Sequence, residues 1–365
     1  MAEKFGKREL EDVIWGATLL GAGGGGSPKN GLKLLEDLLK ASPEGVTLIS
    51  PEEFGSEEYA VMVAGIGSPK VLMEKGFGPE AIYAFEAISS LQALAGKRIT
   101  HLYPGELGGF NVMPPFYVAA LKGMPVVDAD GCGRAVPELE TTLFYLYGIP
   151  SSPCAMADSQ GNIVIFYTRN PMDSTMAENL ARHVSTAFGM GAAFATWVVN
   201  GEELRRALAL NTVTLCRRVG AAIREAKERG GDPVRAAVEA VGGVELFRGK
   251  VADISTRTVE GFDFGRFKLE GVGGYQGKTL TVEFKNENMV VWSGEGEALA
   301  TVPDLICTMT LNGTPLTNAD MEVGMEIAVI AASASEKWRK HPEGFKVWKH
   351  ILEKMGYTGD YVPVK

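Results

Sequence analysis

Between Asp128 and Glu138 the chain gathers three carboxylates, one guanidinium and one thiol around two glycines: Asp128-Ala-Asp130-Gly-Cys132-Gly-Arg134-Ala-Val-Pro137-Glu138. Paired carboxylates push each other's pKa apart, so Asp128 and Asp130 are candidates for a general base or for metal ligands. Arg134 can form a bidentate pair with a substrate carboxylate or imidate. Glu138 is a spare acid that also suits the start of a helix. Cys132 becomes a nucleophile only if something lowers its pKa. No histidine lies near it in sequence, so a buried inert thiol is the plainer reading. An Asp-Gly turn alone would explain the glycines, but it does not call for two Asp, an Arg and a Glu together.

A second loop, His101-Leu-Tyr103-Pro-Gly105-Glu106-Leu-Gly108-Gly109-Phe-Asn111, follows a predicted strand of the same sheet. Glu106 and Asn111 can hold a substrate or a metal, and Gly109 lets backbone come close to a ligand. His101 sits inside the strand, either as a core histidine or as a nitrogen ligand. These residues raise the expectation of a divalent ion of unknown identity near Asp128 or Asp130, with His101 as a further ligand. Gly21-Ala-Gly-Gly24-Gly25-Gly26 formally matches a dinucleotide fingerprint, but a helix precedes it where that motif needs a strand. No nucleotide cofactor is expected. A tight turn and an anion nest both fit, with Gly24 and Gly25 as backbone contacts to substrate. Asn286-Glu287-Asn288 and Pro303-Asp304 read as hairpin turns, with a role in the site as the alternative.

The elements that must position these loops follow from periodicity. Helices are predicted over 8–20, 31–40, 79–94, 115–122 and 137–147, and strands over 46–50, 59–66, 98–103, 124–128 and 162–167. Their alternation implies an α/β N-terminal domain, residues 1–170, with a mostly parallel sheet. Loops that follow its strands are where ligands bind in such sheets. After Asn170-Pro171 come helices over 174–189 and 201–229. From Val244 short strands alternate with glycine turns, so residues 171–365 read as a helical segment plus a smaller, mainly β domain, a sandwich or barrel.

A chain of 365 residues with 45% hydrophobic and 22% charged residues is globular. A net charge of −9 argues against nucleic acid or an anionic membrane as partner. No apolar run approaches the ~20 residues that span a bilayer. The first residues do not read as a signal peptide, and four scattered cysteines without a CxxC fit a reducing cytoplasm.

The chain resembles the S-methyl thiohydantoin desulfurase family, which often accompanies hydantoinase/oxoprolinase-type enzymes. The resemblance rests on the Gly21–Pro28 loop, Gly67-Ser-Pro69 with Glu74, Glu106 with Gly108-Gly109-Phe-Asn111, and the Asp128–Glu138 stretch. In the second half it rests on Leu246-Phe-Arg-Gly249-Lys-Val, Gly261-Phe-Asp-Phe-Gly265, Asn286-Glu287, Pro303-Asp304-Leu-Ile306 and Gly356-Tyr-Thr-Gly-Asp-Tyr361. It implies two domains and a hydrolase that replaces the methylthio group of a five-membered thiohydantoin or hydantoin-like ring by water, with or without a metal. The expected partner is that small heterocycle, and a homo-oligomer is expected. The alternatives are an assembly subunit of a hydantoinase/oxoprolinase-type system and a small-molecule binding protein.

Overall fold

The computed structural model describes residues 2–67, 71, 74–259 and 262–364. Parts of two motifs named above, at 68–69 and 261, lie outside the described residues.

The first part is built on strands β1 (Glu3–Phe5), β2 (Val46–Ile49), β3 (Tyr59–Gly67), β4 (Ile99–Tyr103), β5 (Val126–Val127), β7 (Cys154–Ala157), β8 (Ile163–Phe166) and β9 (Gly191–Asn200), with the short β6 (Ala129–Asp130) beside it. The sheet order is β1-β2-β5-β4-β3-β9-β7-β8. Side chains alternate between its faces. Val61 and Val63 of β3 join one apolar cluster with helices α1 (Lys7–Leu20), α2 (Pro28–Ala41), α3 (Pro79–Leu94) and α4 (Met113–Lys122). Ala60 and Met62 join another with Ala177 and Ala181 of α6 (Ser174–Ala187), which follows the short α5 (Leu143–Leu146). Both faces are covered, which is why the strands read as continuous apolar runs.

Three sequence expectations change here. The sheet is mixed rather than mostly parallel: β2/β5, β5/β4 and β4/β3 are parallel, and the other four pairings are antiparallel. The change comes from β9, an alanine-rich strand from beyond residue 170 that inserts between β3 and β7. Its first half, Gly191-Ala-Ala-Phe-Ala195, is mostly small residues of low strand propensity, which hid it from the strand pattern. The helix expected over 137–147 breaks instead, because Glu138 and Thr142 are both extended. Thr142 then caps α5 through its hydroxyl. The helix expected over 201–229 is two helices, α7 (Gly201–Ala207) and α8 (Thr212–Glu228). Between them β10 (Ala209–Leu210) pairs with β6, Ala209 opposite Asp130.

After α9 (Pro233–Val241) the remainder forms one seven-stranded antiparallel sheet rather than a sandwich. Its strands are β11 (Val244–Val259), β12 (Phe262–Gly271), β13 (Thr279–Lys285), β14 (Glu287–Ser293), β15 (Ala298–Thr301), β16 (Leu305–Thr310) and β17 (Glu326–Ala332), in the order β15-β14-β13-β12-β11-β17-β16. It curls until β14 lies against β16, where Asn288 Nδ2 donates to the Ile306 carbonyl at 2.8 Å.

Helices α1 and α8 tie the two parts together through reciprocal glycines. A Cβ on Gly16 would lie 1.8 Å from the Cys216 carbonyl oxygen, and one on Gly220 would lie 1.9 Å from that of Asp12. Arg224 closes this seam with two bonds to Asp12, each 2.9 Å. Alanine is the better helix former by about 1 kcal/mol. Overpacking a closed contact costs about 1–3 kcal/mol, and here the blocking atoms are backbone. Gly16→Ala and Gly220→Ala are therefore each expected to lower the urea midpoint of unfolding, and an unchanged or raised midpoint would refute this account of the seam.

Candidate functional site

Because β4 and β5 are parallel neighbours, the loops that follow them leave the sheet at the same end. They are laced together: Gly131 N donates to the Gly105 carbonyl at 3.1 Å and Leu107 N to that of Arg134 at 3.2 Å. The glycine loop between α1 and α2 docks on the same place. Phe110 N and Asn111 N both donate to the Gly25 carbonyl, at 3.2 and 3.0 Å. A Cβ on Gly25 would meet the Cα of Gly108 at 2.4 Å, and one on Gly109 would meet the Thr18 hydroxyl at 2.5 Å. The glycines are thus required by backbone-to-backbone approach.

The curled sheet supplies the third wall. Asn288 N donates to the Ala22 carbonyl and Asn318 N to that of Gly23, both at 2.8 Å. Where Gly24 would carry a Cβ lies Glu287 Oε1, 1.9 Å away. Hairpin turns were the plainer sequence reading of 286–288; the structure puts Glu287 and Asn288 against the glycine loop.

Glu106 stands at this three-way junction, half-buried as a residue. Asn111 Nδ2 donates to its Oε1 at 2.7 Å and Val136 N to its Oε2 at 3.0 Å. The Asn111 amide is fixed in turn by Gly65 N, 3.1 Å from its Oδ1. Close packing of protein around the Glu106 carboxyl pushes its pKa up to about 7, against the opposing pull of Val136, Asn111 and Arg134. Asp130 is fully buried and also raised to about 7 by burial. Its Oδ1 accepts from Cys132 N at 2.7 Å and Gly133 N at 2.6 Å, while its Oδ2 has no partner.

The other predicted residues do different work. Asp128 caps α8: its Oδ1 accepts from Val213 N at 2.8 Å and Thr214 N at 3.1 Å, and its Oδ2 from the Thr214 hydroxyl. Arg134, expected to meet a substrate, has no exposed surface. Its N–H groups go to the carbonyls of Ala135, Asp304, Asn288 and Pro303 at 3.0, 2.8, 2.9 and 3.3 Å. Glu138 bonds Lys285 and His350, and together they hold its carboxyl at about 2 despite partial burial. The Cys132 thiol is buried and driven well above its usual range, chiefly by burial and then by Asp130 and Glu106, so thiolate chemistry is disfavoured there. The ring of His101 packs edge-on against Phe54, its Nδ1 lies 2.8 Å from the Thr100 hydroxyl, and burial lowers its pKa.

Asp128, Asp130 and His101 do not form a convergent ligand group among the described residues. Asp128 has both oxygens engaged in capping, and His101 is packed into an apolar cluster. Among the described residues, the group of His, Cys, Asp and Glu whose ligand atoms come within 4.8 Å of one another is Glu138, Glu140 and His350. There the Lys285 ammonium already neutralises Glu138.

Comparison with known proteins gives a family for the whole chain. The S-Me-THD-like N-terminal domain model matches residues 8–168 and the S-Me-THD-like C-terminal domain model matches residues 172–364. The chain belongs to the S-Me-THD-like family. The resemblance to S-methyl thiohydantoin desulfurases therefore holds over nearly the whole length. A crystal structure of a protein from Chromobacterium violaceum is similar to this S-Me-THD-like chain at 25% identity, with a TM-score of 0.86 and 100% of both chains covered. No curated protein matches. Among the described residues, no helix of this family member is long and apolar enough to cross a membrane.

Two outcomes follow from these placements. Glu106 and Asp130 hold their protons more tightly folded than unfolded, where the pKa values are about 4. Their stabilisation is whole below that pH and is lost as pH rises to about 7. Glu106→Gln and Asp130→Asn should each flatten the fall in thermal midpoint across that window, and slopes identical to the parent would refute the assignment. Asp128→Ala removes a helix cap and should cost about 0.5–2 kcal/mol in a denaturant titration. Its activity per folded molecule should be unchanged, and a selective loss of turnover would return Asp128 to the catalytic set.

Proposed function

We propose that this chain is an enzyme of thiohydantoin chemistry that replaces the methylthio group of an S-methyl thiohydantoin-like ring by water. The family supports the substrate class. The single observation that supports a hydrolytic step is Glu106, a desolvated carboxyl with a pKa of about 7, held at both oxygens beside a side-chain-free loop. A general base works best when its pKa lies near the operating pH.

In this reading the flat ring lies on the backbone of Gly24 and Gly25. Glu106 takes a proton from water as the water oxygen bonds to the ring carbon that bears sulfur. The C–N double-bond pair moves onto the ring nitrogen; the added hydroxyl then gives its remaining proton to that nitrogen, and its oxygen forms the C–O double bond as the C–S bond breaks. The sulfur leaves with the bond pair and a proton, as methanethiol, and a hydantoin remains. Atoms balance without an oxidant or reductant. Asn111 orients the base rather than reacting, because its amide is fixed between Gly65 and Glu106.

The purified chain alone, given an S-methyl thiohydantoin, should release methanethiol, followed with a thiol-reactive chromophore. The rate should rise as Glu106 ionises through pH about 7. Glu106→Gln should lower kcat by about 10²–10⁴ while the thermal midpoint at neutral pH stays near the parent's. Full turnover by Glu106→Gln would remove Glu106 as the base. No thiol release by the parent across a series of ring substituents would remove the activity, and turnover only after a partner subunit is added would favour an assembly role.

A further inference from the structure

Among the described residues, the second part of the chain sends the carboxylate of Glu287 into the glycine loop. The turn before it sets its direction. Asn286 takes a left-handed conformation, φ 53°, and exchanges bonds with Asp263, accepting from Asp263 N at 2.9 Å and donating to its carbonyl at 2.8 Å. Glu287 then begins β14 with 3% of its surface exposed. Its Oε1 occupies the space that a side chain at Gly24 would fill, so nothing but bare backbone separates the carboxyl from the loop. Its Oε2 is buried without any partner.

A buried carboxyl oxygen with no donor is costly, and structures tolerate such groups mainly where they serve a function. The charges that face Glu287 are Glu106, Arg134 and Lys285. The two cations do not rescue it. Arg134 donates to four carbonyls, and Lys285 is bonded to Glu138. Burial, reinforced by the neighbouring Glu106, drives the Glu287 pKa well above the usual carboxyl range. Two like charges this close titrate as a coupled pair. While Glu106 is ionised, Glu287 keeps its proton. Once Glu106 has taken a proton from water, the repulsion is gone and Glu287 releases its own more readily.

We propose that Glu287 is the general acid of the site, protonated at rest behind the glycine loop and giving its proton to the departing sulfur after Glu106 has accepted one from water. This rests on the hydrolytic reading above. Over the cycle Glu106 gains the proton of water, the C–S bond pair goes to sulfur, and Glu287 supplies the proton of the thiol. Transfer from Glu106 back to Glu287 then resets the pair, with one water consumed and one thiol released. The two acids come from opposite halves of the chain.

The test has two arms on the full chain. The first needs no substrate. Infrared difference spectra between Glu287→Gln and parent at pH 7 should show a neutral carboxyl band that belongs to Glu287. The second is the pH–rate profile of thiol release. The parent should show a rising limb from Glu106 and a falling limb at higher pH from Glu287. Glu287→Gln should lose the falling limb and about 10²–10⁴ of kcat, and Glu287→Asp should restore an alkaline limb and part of the rate. If the parent lacks the neutral carboxyl band, or Glu287→Gln keeps both the rate and the falling limb, the proposal is overturned. If Glu287→Gln does not fold, the displaced band and shifted limb of Glu287→Asp decide the same question. If the parent releases no thiol, the hydrolytic reading and the acid role fall together, while the infrared arm still reports whether Glu287 is protonated.

Discussion

The guanidinium of Arg134 is the interaction around which both halves are organised. It is fully buried, stacks 5.3 Å from the Trp348 ring, and donates to carbonyls of its own loop and of two strand ends across the junction. Those carbonyls cannot move without stranding a charge in low dielectric, which costs several kcal/mol. The same carbonyls belong to the segments that carry Asn288 and Asp304. Asp304 in turn accepts from Ala334 N, Val364 N and the Tyr361 hydroxyl at 2.7, 2.8 and 2.7 Å. One buried cation therefore fixes the motif loop, the β14 edge and the last residues of the chain.

That cation also limits the charge its surroundings can carry. Glu106, Asp130 and Glu287 lie within electrostatic reach of one another or of Arg134, and each is pushed upward by burial. With Lys285 committed to Glu138, Arg134 cannot support three ionised carboxyls in such a place. The protein is left with acids that titrate near neutrality or stay protonated, which is the condition for moving protons at physiological pH. Glu138 shows the opposite case a few residues away, where Lys285 and His350 hold a carboxyl fully ionised.

The sequence revealed the loops more clearly than the roles of their side chains. Glu106, Asn111, Gly24, Gly25 and Gly109 meet where their placement after strands and their glycine content suggested. Asp128 and Arg134 misled because chemistry-bearing types also make structural bonds. An Asp that caps a helix 85 residues away cannot be told from a base without knowing that α8 begins beside it. Glu287 read first as part of a turn, with a role in the site only as the alternative. Its signal was the pairing of a side-chain-free Gly24 with an acid in a distant β segment, and periodicity does not report such pairs. The direction of β9 was hidden for a related reason. Strand pairing is a long-range property, and an alanine-rich segment carries little local evidence of it.

The position of β9 bears on how the chain can be divided. The two family models meet near residue 170, in an exposed stretch of backbone. Yet β9 lies between β3 and β7, and α8 lies glycine to glycine on α1. A protease that nicks this stretch would not free two modules. It would leave a noncovalent complex of two fragments, each holding the other's missing strand or helix. The same division made in a gene would require both products to be synthesised together, since the first fragment alone would expose β3 and β7 edges that other copies could pair with.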